Sequence, residues 1–498
     1  MELSPTQIKI IETKGNLIVR ASAGTGKTST MVNKIAKEIK DNHTHKCIAA
    51  ITFTIKAANE IKDRLTIDVA EHFIGTNNSF AIEEVIKPFM KDVYGSEFDL
   101  DISTDYGEKI NSFEQGINKI KNHKIICSYD ENKKNFVFEL AYYIVQNSQA
   151  CQLYLKAKYF KIYIDEYQDC DKTMHEFFMY LCDELGLEMF IVGDEKQSIY
   201  IWRGAYPEAF KSIGDKQNFT QIPMIDNYRS CKQIQNYSNL LFYETSNLYS
   251  SIDNLDNIIL ISTNQCMWCK KVSEHIDLTK KIALLRYKNK LAQLNAEELS
   301  SFKLNFVYIP QIPIVSITTD TAWLYVAIAK YIILEKYSEY DFITEIPFND
   351  NENNKILKTL RRMLNNIKNN IRIKEKFSEY IYEIAKYLGY STRNEDIEKL
   401  YNTVICECFH KAFKIDEYQY IATTIHSSKG LEFDQVIIFS EDYNLENDIY
   451  KHYVAVTRAK SKLIIVDIKE NNNNFKAKLE DILLKYNLSI KDLLIQNN

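Results

Sequence analysis

Short apolar runs alternate with helical patterns in two separate regions of the chain. In the first region the runs are Asn16–Arg20, Cys47–Thr52, Phe160–Ile164 and Met189–Val192. In the second region they are Ile282–Leu285, Gln435–Ser440 and Lys462–Asp467. Nearly continuous apolar strands separated by helices are typical of a parallel sheet that is covered on both faces. The pattern therefore predicts an α/β protein with two parallel sheets.

Mostly helical patterns interrupt both regions, between Phe80 and Phe160 and from roughly Gln311 to Ala412. We therefore expect two α/β domains, each carrying a reduced, mostly helical insertion. The first domain is placed at residues 1–80 and 160–235, with its insertion at 81–159. The second domain is placed at residues 236–310 and 412–498, with its insertion at 311–411.

Net charge, the length of apolar runs and the number of cysteines exclude several classes of protein. The 498 residues carry 62 Lys and Arg against 67 Asp and Glu, a net charge of −5, which excludes a protein coated in basic residues but not a local basic groove. The longest apolar run, Ala322–Ala329, is far shorter than the ~18 residues of a membrane span. No signal-peptide pattern opens the chain, and 10 cysteines are few for a disulfide-stapled fold. We expect a cytoplasmic protein without membrane contact.

A phosphate-binding loop is predicted between the first strand and the first long helix. It reads Ala21, Ser22, Ala23, Gly24, Thr25, Gly26, Lys27 and Thr28. A strand, a loop of small residues and a helix start direct backbone N–H groups at phosphate. Lys27 is predicted to reach the β- and γ-phosphates, and the Thr28 hydroxyl to bind Mg²⁺. A chance Gly-Lys-Thr at a helix start is the alternative.

Acidic residues follow the apolar strand Phe160–Ile164, in the segment Asp165–Asp169. Carboxylates at the C-terminal end of a strand suit the two tasks of a nucleotide hydrolase. We expect Asp165 to hold Mg²⁺ and Glu166 to take a proton from the attacking water. An exposed acidic turn is the alternative, but it does not explain why the acids follow an apolar strand. Together with the loop, this site predicts hydrolysis of ATP, dATP or GTP.

Further segments occur in the order known from one helicase family. They are Leu3–Gln7, Thr52–Thr54 with Ala57, Ala58 and Glu60, Gly75–Thr76, Val192–Ala205, Asn227–Ser230, Thr424–Phe433 and Val454–Lys460. With the two sites above, the chain resembles the superfamily 1 DNA helicases of the UvrD/Rep/PcrA type from Gln7 to Arg458. The resemblance implies two RecA-like P-loop NTPase domains and a DNA-stimulated ATPase or helicase, moving 3′ to 5′.

The resemblance also implies roles for individual residues. Nucleotide contacts are implied for the loop Ala21–Thr28 and for Ser29, where several relatives carry Arg. Gln7 would read the adenine edge, Tyr228 would stack on adenine, and Glu432 would lie near the ribose. Gln197 would sense the γ-phosphate, and Arg229 and Arg458 would be arginine fingers.

DNA contacts are implied by the same resemblance for Phe53, Thr76, Tyr200, Trp202, Arg203 and His426. Stacking on aromatic faces binds single-stranded bases of any sequence. Because aromatics make up 12% of the chain, any one of them is by default a core residue. Trp202 is the exception we favour, since it stands beside Arg203 after a strand. Asn78 stands where the family usually has His, which changes one expected contact.

A narrower resemblance extends over nearly the full length, to the helicase-like subunits of Gabija anti-phage systems. It rests on Ile74–Asn77, Lys158–Asp169, Met179–Leu181, Ser198–Ala205, Ile234–Leu240 and Glu441–Asn444. The partner that it implies is an OLD-type nuclease with an ATPase and a Toprim domain. About 40 residues follow Arg458, fewer than a small domain needs, so we expect no nuclease domain within the chain.

Three functions remain open. The first is a DNA-stimulated ATPase that translocates on DNA or unwinds it; the second is a DNA-triggered NTPase that depletes nucleotides. The third is a helicase-like scaffold for the nuclease, which the intact set of catalytic residues disfavours. The pairs Cys266/Cys269 and Cys406/Cys408 have different spacings and no family signature, so we expect buried or free thiols rather than a metal site.

Overall fold

The computed structural model describes residues 3–99, 101–131, 133–199, 204–317, 319, 321–346, 353–471 and 473–497. The chain forms two compact units, Met1–Ser230 and Cys231–Asn498. We call them unit 1 and unit 2. Each has its own large parallel sheet, which confirms the α/β class.

The strands of unit 1, in chain order, are β1 (Asn16–Ala21), β2 (Cys47–Thr52), β3 (Phe73–Thr76), β4 (Ser103–Ile110), β5 (Ile125–Tyr129), β6 (Tyr159–Ile164), β7 (Glu188–Gly193) and β8 (Phe219–Met224). All except β4 and β5 form one parallel sheet in the order β3-β2-β6-β7-β1-β8. Strand β1 lies next to the edge strand β8; it pairs with β7 through Leu17 and Phe190 and with β8 through Val19 and Ile222. Parallel pairing places the carboxyl ends of these strands at one edge of the sheet.

The helices of unit 1 are α1 (Pro5–Glu12), α2 (Lys27–Asp41), α3 (Ile55–Arg64), α4 (Asn77–Ala81), α5 (Lys87–Tyr94), α6 (Phe113–His123), α7 (Phe136–Asn147), α8 (Gln149–Lys158), α9 (Lys172–Asp183) and α10 (Glu208–Gly214). A π-helical turn, Ile82–Ile86, joins α4 to α5. The insertion is mostly helical as expected, apart from the β4–β5 pair. One hydrophobic core joins its Phe136 and Phe138 to Ile18 and Ile51 of the sheet.

The strands of unit 2 are β9 (Ile258–Thr263), β10 (Ile282–Arg286), β11 (Val307–Tyr308), β12 (Tyr420–Thr424), β13 (Phe433–Phe439), β14 (Ala459–Ile468) and β15 (Ile495–Asn497). They form a parallel sheet in the order β11-β12-β10-β13-β14-β9-β15. Every strand predicted from the sequence is present in the two sheets, with its ends shifted by at most a few residues.

The helices of unit 2 are α11 (Lys232–Leu240), α12 (Trp268–Ser273), α13 (Asn289–Ser301), α14 (Ala322–Ile333), α15 (Glu339–Thr344), α16 (Asn353–Asn369), α17 (Lys374–Tyr387), α18 (Asn394–Ile405), α19 (Glu407–His410), α20 (Ile449–Val456) and α21 (Phe475–Leu484). Helices α14 to α18 pack around a hydrophobic core that includes Leu324, Leu364 and Phe377. Within the described ranges, no helix has the length and apolar character needed to cross a membrane.

Candidate functional site

The phosphate loop joins β1 to α2, and two glycines set its shape. Gly24 (φ 73°) and Gly26 (φ 82°) adopt the left-handed conformation that favours glycine. The Thr25 hydroxyl donates to Ser22 O at 2.9 Å and holds the loop together. Because α2 begins at Lys27, the backbone N–H groups of its first turn favour an anion at this point. Ala21 and Ala23 are buried, and Thr28 and Ser29 lie half-buried in that first turn.

Gln7 lies in α1 and contacts the phosphate loop directly. Its side-chain amide donates from Nε2 to Thr25 O at 3.2 Å and accepts Ser4 N at Oε1 at 2.9 Å. The second bond belongs to a capping box, in which Ser4 Oγ accepts Gln7 N. Each amide has two N–H donors and two acceptor lone pairs. Among the hydrogen bonds of the described residues, one donor and one acceptor of Gln7 remain for a ligand, the pair that an adenine edge requires.

The segment Asn227–Ser230 packs against the same loop. Tyr228 N donates to Gly24 O at 2.9 Å, while the Tyr228 side chain is 52% exposed. Asn227 Oδ1 accepts Arg229 N at 2.8 Å and Ser230 N at 3.0 Å, which fixes the turn. Unit 1 thus places an exposed aromatic ring and an arginine beside the phosphate loop.

The acidic residues after β6 lie at the carboxyl edge of the unit 1 sheet. Asp165 is buried, and its Oδ1 accepts Glu166 N at 2.8 Å. Burial, together with the negative charge of Glu166, raises the pKa of Asp165 to about 7, and the positive charge of Lys27 opposes this shift. Glu166 has φ 53°, a conformation that is uncommon for a non-glycine residue. The loop lysine and the acidic pair therefore share one electrostatic environment.

A hydrogen-bond chain links Glu166 to Gln197. Gln168 Nε2 donates to Glu166 Oε2, and Gln168 Oε1 accepts Asp194 N at 3.0 Å. Gln197 Nε2 then donates to Asp194 Oδ2 at 2.8 Å. Gln168, Asp194 and Gln197 are all buried. The predicted general base and the predicted γ-phosphate sensor are thus held by one network.

Two residues of this region have contacts to which the sequence assigned no role. Gln168 lies inside the segment Asp165–Asp169, and Lys196 lies inside Val192–Ala205. Lys196 Nζ donates to Ser22 Oγ at 2.8 Å and so connects the Gln197 segment to the phosphate loop. The only indication in the sequence that Gln168 and Lys196 contribute to the site is that both lie within segments shared with the helicase family.

The residues predicted to hold Mg²⁺ fit that ion by their chemistry. Asp165 supplies a buried carboxylate, and Thr28 supplies a hydroxyl in the first turn of α2. Oxygen donors are the ligands that Mg²⁺ prefers. The mutual repulsion of Asp165 and Glu166, which raises the pKa of Asp165, is the kind of interaction that a divalent cation relieves.

Three predicted site residues belong to unit 2. Arg458 is buried, and its Nε donates to Val454 O at 3.1 Å. Glu432 forms an exposed ion pair with Lys460 at 3.3 Å. His426 lies half-buried after β12, with its ring 6.2 Å from that of Tyr287.

The predicted DNA contacts of unit 1 are only partly described. Phe53 is half-buried and packs against the hydrophobic core. Thr76 caps α4 by accepting Ser79 N at 3.2 Å, so its hydroxyl has a structural partner. Asn78 Nδ2 donates to Tyr106 Oη at 3.2 Å. Tyr200, Trp202 and Arg203 lie outside the described residues.

In the part of the chain that the structure describes, no group of three or more His, Cys, Asp or Glu side chains is arranged to hold a metal ion. Cys266 is exposed and Cys269 is buried. Cys406 and Cys408 form a disulfide, with Cα atoms 5.3 Å apart. The expectation of free thiols was therefore wrong for this pair, because Cys406, which joins α18 to α19, and Cys408, in the first turn of α19, lie within disulfide distance.

Family models match two parts of the chain, and a known protein resembles it over nearly its whole length. Residues 7–203 match the family model of an AAA domain, and residues 420–466 match that of a UvrD-like helicase C-terminal domain. The chain is 37% identical over 492 residues to the Gabija protein GajB of Bacillus cereus (strain VD045). The aligned region covers 96% of this chain and 98% of that protein. The chain belongs to the GajB family. This confirms the narrower resemblance drawn from the sequence.

The GajB-family chain is also similar to helicases. It is 28% identical over 332 residues to the ATP-dependent DNA helicase Rep of Buchnera aphidicola subsp. Schizaphis graminum, and the aligned region covers 55% of this chain and 50% of that protein. It is 28% identical over 287 residues to DNA helicase II of Haemophilus influenzae, 47% of this chain and 39% of that protein. The helicase resemblance therefore covers about half of each sequence.

Proposed function

We propose that this GajB-family chain is a DNA-stimulated ATPase that translocates along DNA, 3′ to 5′, and acts with a nuclease subunit in anti-phage defence. One observation carries the ATPase proposal. A phosphate loop, an adjacent lysine, a buried aspartate and a hydrogen-bonded Glu166–Gln197 network meet at one edge of the unit 1 sheet. Phosphoryl transfer depends mainly on positioning and charge neutralisation, which this arrangement supplies.

In the proposed reaction, the α2 N-terminus and Lys27 bind the phosphates of ATP. Asp165 and Thr28 would hold Mg²⁺, which when bound neutralises charge on the β- and γ-phosphates. Glu166 accepts a proton from the attacking water, with its carboxylate oriented by Gln168. Gln7 and Tyr228 hold the adenine base.

Three further residues complete the proposed nucleotide chemistry. Arg229 and Arg458 are proposed to stabilise the negative charge that develops on the transferred phosphoryl group. Glu432 is proposed to lie near the ribose. Gln197 senses the γ-phosphate and, through the network to Glu166, makes hydrolysis depend on correct nucleotide placement.

Single-stranded DNA is the proposed polymer substrate. Phe53, Thr76, Tyr200, Trp202, Arg203 and His426 are proposed to contact it. Aromatic stacking contributes roughly 1–3 kcal/mol per base and is tolerant of sequence. The match to a UvrD-like helicase C-terminal domain supports this part of the proposal.

Two variants test the nucleotide chemistry. Lys27→Ala should abolish ATP hydrolysis and keep the fold, because Lys27 lies half-buried at the loop and acts on phosphate charge. Glu166→Gln should retain Mg·ATP binding and lose turnover, because only the proton-accepting carboxylate changes. Hydrolysis at the wild-type rate by either variant would show that the catalytic assignment is wrong.

The remaining alternatives predict different products. A translocating helicase displaces a strand from a tailed duplex while it hydrolyses ATP. A nucleotide-depleting effector consumes ATP or dATP in the presence of DNA and displaces nothing. A scaffold does neither. Strand displacement and nucleotide consumption, measured together in the same reaction, separate the three.

The proposed partner is an OLD-type, GajA-like nuclease with ATPase and Toprim domains, and the contact surface is proposed to lie in the insertion, residues 81–159. The insertion presents Leu153 of α8 at 59% exposure and Tyr143 of α7 at 43%. Exposed apolar side chains are common at the centre of protein interfaces. Co-elution with the nuclease in size-exclusion chromatography is expected. Separate elution at micromolar concentration, with and without ATP and DNA, would contradict the partnership.

A further inference from the structure

Lys34 is a fully buried lysine with no place in the nucleotide chemistry described above. It lies on α2, about two turns after Lys27. Its amine donates to Thr13 O at 2.6 Å and to Ile11 O at 3.2 Å. It also forms an ion pair with Glu38 at 2.8 Å. Burial of a cation is costly unless it is paired and hydrogen-bonded, and all three partners serve that purpose.

The two carbonyl groups that bind Lys34 close the C-terminus of α1. Ile11 lies in the last turn of that helix, and Thr13 is its C-cap. A cation at this end also interacts favourably with the helix dipole. Lys34 therefore fastens one end of α1 to the helix that carries the phosphate loop.

The other end of α1 carries Gln7. The Gln7 side chain is held by hydrogen bonds to Ser4 N and Thr25 O. It also lies close to Gly26, since its Nε2 is 3.0 Å from the position that a Cβ would take on that glycine. A helix of eight residues is about 12 Å long, and its backbone hydrogen bonds couple its two ends. A shift at its C-terminus is therefore passed on to the Gln7 amide.

We propose that Lys34 is a positioning residue that holds Gln7 in register with the base and thereby sets a preference for adenine over guanine nucleotides. The inference rests on the proposed function, in which Gln7 binds the base. Adenine offers a donor and an acceptor along one edge, N6 and N7, whereas guanine offers two acceptors, O6 and N7. The remaining acceptor of Gln7 pairs with adenine N6 and opposes guanine O6, provided that the amide stays in place.

The test compares binding of mant-ADP and mant-GDP, each with Mg²⁺, by fluorescence titration of the full chain. Lys34→Met should weaken mant-ADP binding by about tenfold, the value of one lost bidentate base contact, and leave mant-GDP binding unchanged. Lys34→Arg should restore the preference, because the guanidinium can donate to the same carbonyls.

Lys161 provides a matched control. It is equally buried, lies on β6 and shares Glu38 with Lys34 through an ion pair at 3.0 Å. Its other ion pair is to Glu188, at 3.2 Å, and it makes no contact with α1 among the described hydrogen bonds and ion pairs. Lys161→Met should therefore cost stability and leave the ratio of the two affinities unchanged.

Each outcome decides something different. If Lys34→Met weakens the binding of mant-ADP and mant-GDP equally, or weakens neither, Lys34 does not have the proposed role. A wild-type chain that binds both nucleotides with the same affinity would also overturn that role. If Lys34→Met does not fold, Lys34→Leu, which also removes every donor to the two carbonyls, takes its place with the same expectation. A wild-type chain that binds neither nucleotide would contradict the proposed function itself.

Discussion

Replacement of Gly24 by alanine should damage both stability and catalysis, because the new methyl group has no room. The residue has φ 73°, where an L-residue with a side chain is strained. The added Cβ would lie 2.6 Å from Asn227 Oδ1 and 2.7 Å from Arg229 Cβ. Both neighbours belong to the turn that places Tyr228 and Arg229, so the turn must move.

The expected loss of stability has two parts. A left-handed conformation costs a non-glycine residue roughly 1–2 kcal/mol. Forcing packed neighbours apart costs about 1–3 kcal/mol more. Gly24→Ala should therefore reduce the free energy of unfolding by about 2–5 kcal/mol. Turnover should fall as well, because Arg229 is displaced from the phosphate loop.

Substitutions at two other glycines distinguish the conformational cost from the steric cost. Gly15 has φ 77° and nothing within 4 Å of its added Cβ, so Gly15→Ala should show only the conformational cost and keep full turnover. Gly26 has φ 82° and meets only the end of the Gln7 side chain, at 3.0 Å, so Gly26→Ala should mainly weaken ATP binding. Urea unfolding and ATP turnover on all three variants provide the comparison. Equal losses of stability in Gly24→Ala and Gly15→Ala would refute the steric argument.

Two further predictions concern the network and the DNA surface. Gln168→Ala should lower kcat by about 10–100-fold with ATP binding retained, because Glu166 and Asp194 lose their shared partner; an unchanged kcat would mean that the network does not orient the base. Trp202→Ala should reduce the DNA stimulation of ATP turnover more than the basal rate, since it removes a stacking face. Equal loss of both rates would mark Trp202 as a core residue.

The strands that the sequence predicted contain apolar runs, because a strand buried on both faces of a parallel sheet needs no polar positions. The prediction did not include β9 and β12, although both are buried as well. The pattern missed β8, which contains Pro223, a residue tolerated here because β8 is an edge strand. It also missed β4, whose sequence Ser103–Ile110 is mostly polar and packs only through part of its length.

The candidate site could be predicted as a set of residues but not as a geometry. Lys27 could be predicted from the strand–loop–helix pattern around it, and Asp165 from its position directly after an apolar strand. The αL conformation of Glu166 is not signalled by its residue type, and the hydrogen bond from Asp194 N to Gln168 joins two segments that are separate in the sequence, which no local pattern encodes. Thr76, for which the resemblance implies a DNA contact, also caps α4 through its hydroxyl, a structural role that the sequence pattern did not indicate.

The rate of ATP hydrolysis by the full chain, with and without saturating single-stranded DNA, tests the central claim most directly. Glu166→Gln is measured in parallel to identify turnover that belongs to this site. We expect DNA to raise the wild-type rate well above its DNA-free value and to leave Glu166→Gln inactive. Identical wild-type rates with and without DNA, or turnover that survives in Glu166→Gln, would contradict a DNA-stimulated ATPase built on this site.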